Sequence, residues 1–127
     1  MSPFLDFNLE DVPDVTLAPD NTEHQLTCRS CEYNEEKHYL RLIFEFADDP
    51  TVEDIFHYAS LPKETDEPKT ELFKKRNLKA LCEALQVPLS FEDPAEFVGR
   101  SMWAVIGIRD NETYGRANEI KKISGPV

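Results

Sequence analysis

Tyr39 and Arg41 lie two positions apart, as do Phe56 and Tyr58 and, later, Tyr114 and Arg116. Trp103 and Arg109 are six apart, and Lys121 and Lys122 follow. Even spacing puts both members of a pair on one side of a β-strand. Flat rings can stack on nucleobases while Arg and Lys meet phosphates, so the set could hold an unpaired nucleic-acid strand. The competing reading of each ring is hydrophobic core, because aromatics dominate cores as well.

Reaction chemistry is harder to find. Gly99, Gly107, Gly115 and Gly125 form no phosphate loop, and no serine-nucleophile motif is present. His24, His38 and His57 have no ligand spacing with Asp or Glu, and the acidic pairs Asp48-Asp49, Glu53-Asp54 and Glu92-Asp93 read as solvated turns. Cys28 and Cys31 form a CxxC, but on a regular strand positions i and i+3 point to opposite faces, which suits chelation poorly. No catalytic residue, metal or cofactor is expected, and the chain is not expected to be an enzyme.

The elements that must carry the rings and cations follow from periodicity. Strands are predicted over His24–Tyr33, His38–Phe46, Val52–Ser60, Ser101–Arg109 and Arg116–Ser124. In the second, Leu40, Leu42, Phe44 and Phe46 alternate onto one face, which leaves Tyr39 and Arg41 on the other. The third has apolar groups on both faces, so its inward side is open. A helix is predicted from Asp66-Glu67-Pro68 to Leu85 or Gln86, with Pro88 as its stop. Leu78, Leu81, Cys82 and Leu85 form its apolar stripe, and Leu72 and Phe73 are expected to extend that stripe backward. Lys74, Lys75, Arg76 and Lys79 read as a solvated face. Asp93-Pro94 followed by Gly99 marks a second, single-turn helix.

Five strands with one helix between the third and fourth describe a mainly β fold, a five-stranded barrel of the oligonucleotide-binding (OB) type. Residues 1–22 are acidic and contain Pro3, Pro13 and Pro19, so they read as an extended arm before a single domain at 23–127. At 127 residues such a domain can bury a core without disulfides or metals. The three cysteines, an odd number, argue for reduced thiols. No apolar run approaches the roughly 20 residues needed to cross a bilayer, and the first residues lack the pattern of a signal peptide. A cytoplasmic location without membrane association is expected.

The formal net charge is −11, which opposes phosphate binding. The distribution softens this. Six of the 25 acidic residues lie in the first 23 positions together with none of the 14 basic ones, so the rest is mildly acidic.

The order of segments resembles a phage and prophage family of small single-stranded-DNA-binding proteins, formerly described only as a domain of unknown function. The resemblance runs through DFNLEDVPD, EYNEEKHYLRLIFEF, DIFHYASLP, PKTELFKKRNLKALCEALQV and VGRSMWAVIGIRDNETYGRANEIKKI. Gly99 and the stretch from Tyr114 to Ile123 are its most recognisable parts. It implies an OB-type fold and sequence-tolerant binding of single-stranded DNA in replication or recombination, with no catalytic residue. This chain differs in its acidity and in ending KKISGPV rather than in an acidic tail.

The expected site therefore comprises Tyr39, Arg41, Phe56, Tyr58, Trp103, Arg109, Tyr114, Arg116, Lys121 and Lys122. Its salt dependence should be steep, near −0.7 per phosphate contact. The arm is expected to lie over the groove or to recruit replication or recombination proteins, and exposed strand edges could pair copies into a homo-oligomer. Two rival readings are a protein-interaction module of a replication complex that does not touch DNA, and an acidic DNA mimic.

Overall fold

A computed structural model of the chain describes residues 16–113 and 115–127. The expected arm over residues 1–15, and Tyr114, lie outside the described residues. The rest is mainly β, with strands β1 (Thr22–Asn34), β2 (Tyr39–Phe46), β3 (Ile55–Ser60), β4 (Ser101–Asn111) and β5 (Gly115–Pro126). A single α-helix, α1 (Pro68–Leu85), and a one-turn 3-10 helix at Pro94–Phe97 separate β3 from β4 among these residues.

The strands form one antiparallel sheet in the order β3-β2-β1-β4-β5. β1 is the spine. Its first half, Thr22 to Thr27, pairs with β4, while Leu26 to Asn34 pair with β2. A strand that changes partner along its length must curve, and a bulge at Arg29 supplies extra bend. The curl brings the edge strands β3 and β5 side by side, running in the same direction, with α1 packed against both.

The inward faces follow the alternation. Leu40, Leu42, Phe44 and Phe46 are buried with Leu26, Cys28, Met102, Ala104 and Ile106. The ambiguity of β3 is resolved by pairing: Ile55, His57 and Ala59 stand opposite Phe44, Leu42 and Leu40, so Phe56 and Tyr58 face out. The strand begins at Ile55 rather than Val52. Before it, the Asp49 carboxylate accepts from the Thr51 amide and hydroxyl and holds a turn.

α1 starts with Pro68 in its first turn and ends at Gln86, a left-handed residue (φ 58°) whose N–H reaches back to the Cys82 and Glu83 carbonyls. Leu81, Cys82 and Leu85 are buried as predicted, with Leu78 half-buried beside them. Leu72 and Phe73 do not extend the stripe. They are 47% and 65% exposed. At 100° per residue each lies roughly 130° around the helix from the stripe's centre, on opposite sides. The 3-10 helix carries a capping box: Asp93 accepts from the Ala95 amide, and Glu96 reaches back to the amides of Glu92 and Asp93.

Residues 16–21, assigned to the arm by composition, lie against this framework. The Glu53 amide donates to the Thr16 carbonyl. Ala18 is buried, and the Asn118 side chain on β5 bonds both its N–H and its carbonyl. The segment thus bridges the approach to β3 and the start of β5, at the foot of the seam between the two edges.

Candidate functional site

The outer face of β2 and β3 gathers four of the predicted groups. Arg41 stands opposite Tyr58, and Tyr39 opposite Ser60. Tyr39 and Tyr58 meet edge-to-face with centroids 5.2 Å apart. The Arg41 guanidinium lies over Phe56, 5.8 Å from the ring centre. Phe56 and Tyr58 are 54% and 55% exposed, so about half of each ring is free to stack on something else. Across on β1, Glu32 pairs with Arg41 at 3.6 Å. The Arg41 Nε is shielded from solvent and has no acceptor among the described residues.

The turn above this face is braced by His38, which sequence reasoning did not single out. Its Nε2 donates to the Pro62 carbonyl at 3.0 Å, so in the neutral ring Nδ1 accepts from the Tyr33 hydroxyl at 2.8 Å. The β1–β2 turn is thereby tied to the exit of β3.

The remaining groups separate. Lys121 and Lys122 line a groove of about 690 Å³ between β3, α1 and β5, and Tyr58 forms part of its rim. Phe73, Lys74 and Asn77 of α1 supply the opposite wall. Tyr58 therefore belongs to both surfaces and makes them continuous. Trp103 stands apart: it pairs with Gln25 of β1, whereas the ring cluster is level with Glu32, about 23 Å further along that strand. Arg109 and Arg116 lie near the far end of the β4–β5 hairpin, with Tyr114 outside the described residues.

Most of the predicted cations already face carboxylates. Arg109 pairs with Glu119 at 3.9 Å, Arg116 with Asp110 at 3.3 Å and Lys121 with Asp20 at 3.3 Å. Hydrogen bonds from the Ile108 amide and from Lys121 hold the Asp20 carboxyl below its ordinary pKa. Of the five cations in the expected site, Lys122 is the one with no carboxylate partner among the described residues. On α1, Lys74 pairs with Asp66, Lys75 with Glu71 and Lys79 with Glu83.

Cys28 and Cys31 depart from expectation. The bulge at Arg29 inserts one residue between them, so both stand opposite inward groups, Phe44 and Leu42. Burial pushes the Cys28 thiol up to about 11 and, with Cys28 adding to it, the Cys31 thiol up to about 12. Thiols held neutral in this way are poor nucleophiles and poor metal ligands. Among the described residues no three His, Cys, Asp or Glu side chains converge as a metal site, and no helix is long and apolar enough to cross a membrane.

Phe73 is the ring that sequence reasoning misplaced. Its angular offset from the Leu81–Leu85 stripe was the available signal. No protein-family model matches the chain, and no curated protein matches it either.

Proposed function

We propose that this chain is an OB-type protein of phage type that binds single-stranded DNA without sequence preference, in the bacterial cytoplasm, during replication or recombination. Three architectural features support the OB reading: the strand order, the parallel edge strands lying side by side, and the helix between β3 and β4. The observation that carries the functional reading is the cluster of Tyr39, Arg41, Phe56 and Tyr58 on one outer face. Half-exposed rings offer stacking surfaces that any base can use. The Arg41 side chain, partly exposed beside these rings, offers a cation to a phosphate or a base edge.

The test is fluorescence anisotropy of labelled oligo-dT with the full chain at low salt. Phe56→Ala and Tyr58→Ala should each weaken binding by roughly 5- to 150-fold, the equivalent of about 1–3 kcal/mol per lost stack. Absence of wild-type binding, or equal affinity for duplex, removes the reading.

A second reading, a protein-interaction module of a replication complex, is favoured by one observation. Four of the five expected phosphate-binding cations lie beside a carboxylate. Under that reading the same rings bind a protein partner and oligo-dT does not compete.

A further inference from the structure

In charge, the groove between β3, α1 and β5 differs from the rest of the surface. Among the described residues none of its lining side chains is a carboxylate, in a chain that carries 25 acidic residues. Lys74 and Lys121 line it, but Asp66 and Asp20 already hold them, and neither of those carboxylates lies in the lining. Lys122 is therefore the lysine of the groove that an incoming anion can take without breaking an ion pair seen among the described residues.

Two rings stand over the groove from opposite walls, Tyr58 on β3 and Phe73 on α1, 55% and 65% exposed. Phe73 lies off the buried stripe of the helix, so the core does not account for its ring. Ser60, Thr70 and Asn77 also line the groove, and their exposed side chains have no hydrogen-bond partner among the described residues. The edges of β3 and β5 pair with no further strand among those residues, which leaves backbone donors and acceptors along the groove.

We infer that this groove is a second station for an unpaired nucleic-acid strand. The strand leaves the β2–β3 rings past Tyr58 and crosses to α1, with a base on Phe73 and a phosphate at Lys122. The inference rests on the nucleic-acid reading and adds a helical subsite to it. A polynucleotide presents a flat base and an anion at every step. Rings on both walls match the bases, Lys122 matches a phosphate, and the neutral hydroxyl and amide groups can meet base edges of any sequence. With no lining carboxylate among the described residues, nothing in the wall repels that phosphate. The outer face of β2 lacks this advantage, because Glu32 stands beside Arg41. The exposed rings favour this occupant over an acidic peptide, which carries the charge without a flat base beside it.

The experiment is anisotropy of labelled oligo-dT of about 16 nucleotides, the upper end of what one OB barrel covers, with the full chain at low salt. Phe73→Leu keeps an apolar side chain and removes the flat ring. It should weaken binding roughly 5- to 150-fold, while Phe73→Tyr binds like the parent. Lys122→Gln should remove about 0.7 from the salt slope, and an unchanged slope overturns the phosphate assignment. Parental affinity in Phe73→Leu, or equal losses in Phe73→Leu and Phe73→Tyr, overturns the inference. If Phe56→Ala weakens binding and Phe73→Leu does not, the nucleic-acid reading stands and the strand ends at Tyr58. If Phe73→Leu weakens binding and Phe56→Ala does not, the groove stands as a site by itself and the ring cluster no longer carries the reading. Absence of wild-type binding removes both.

Discussion

A buried and a half-buried polar side chain show how single residues constrain this fold. Asn118 accepts from the Ala18 amide at 2.8 Å and donates to the Ala18 and Gly107 carbonyls at 3.0 and 3.1 Å. Truncation to Ala would leave three backbone groups without partners in an interior that water does not reach. Asn118→Ala should therefore cost about 1–3 kcal/mol in urea unfolding, with residues 16–20 losing amide protection first. A variant as stable as the parent would mean that the bridge is incidental. His57 is different because its demand depends on pH. It faces inward near Phe44, and burial lowers its pKa below the ordinary 6.5. The unfolded chain then binds a proton that the folded one resists, so this contribution is complete above about 6.5 and is lost as pH falls toward the folded value. The four carboxylates with lowered pKa, Asp20, Asp49, Asp66 and Glu96, start from ordinary values of 3.8 to 4.5 and act in a lower window. Stability should decline as pH falls below about 6.5, and His57→Gln should flatten that part of the curve. An unchanged slope in the variant would place the effect elsewhere.

At the scale of elements, β1 decides the architecture, and its decisive feature is one extra residue. Arg29 is unpaired in the ladder, and the backbone of its neighbour Cys28 bonds instead to Gly99 and Arg100 ahead of β4. Deleting Arg29 leaves Cys28 opposite Phe44 and Ser30 opposite Ile43 as consecutive pairs, so the side chains from Ser30 to Asn34 keep their faces and only the extra bend of β1 is lost. The deletion should cost about 1–3 kcal/mol, because β1 straightens where it changes partner. Arg29→Ala keeps the backbone count and loses only the exposed Asp54 pair, so it should cost about 0–1 kcal/mol. Similar denaturation midpoints for the two would show that the bulge is dispensable. This is also where the sequence stopped being legible. All five strands, the helix and the capped turn could be read from period, proline and glycine, because each depends on local pattern. The bulge could not, since Arg29 is an ordinary polar residue in an alternating run. For the same reason the shared inward face of Cys28 and Cys31 was hidden. The candidate site was legible only within strands and between neighbours in sequence, so Tyr39, Arg41, Phe56 and Tyr58 converge through the β2–β3 pairing. Trp103 and Arg109 do share a side of β4, but β4 pairs with the first half of β1, and that long-range choice moves them away from the cluster. Phe73 was legible, because its angle around the helix sets it apart from the Leu78–Leu85 stripe.

For the whole molecule the governing quantity is charge, and it alters what salt should do. Five cations released from counterions by phosphates would give a slope of about −3.5 in log Kobs against log salt, at roughly −0.7 each. That figure assumes each cation is free beforehand. Here Arg41, Arg109, Arg116 and Lys121 face Glu32, Glu119, Asp110 and Asp20. A phosphate that takes such a cation frees a carboxylate, which gathers a counterion of its own, so the net release is close to zero. Only Lys122 then contributes in full, and the slope should be about −0.7. The steep dependence expected from composition gives way to a shallow one, in which ring stacking supplies most of the affinity. Trp103, distant from the cluster, should report little of this in its emission, so anisotropy of the labelled strand is the measurement. A slope of −3 or steeper would show the carboxylates to be spectators and the cations to act at full strength. A shallow slope that survives Phe56→Ala and Tyr58→Ala unchanged in affinity would remove stacking instead. Charge removal at the partners supplies the last discrimination: Glu32→Gln frees Arg41 beside the rings and should both tighten binding and steepen the slope by about 0.7, whereas Asp110→Gln, at the far end of the β4–β5 hairpin, should alter neither.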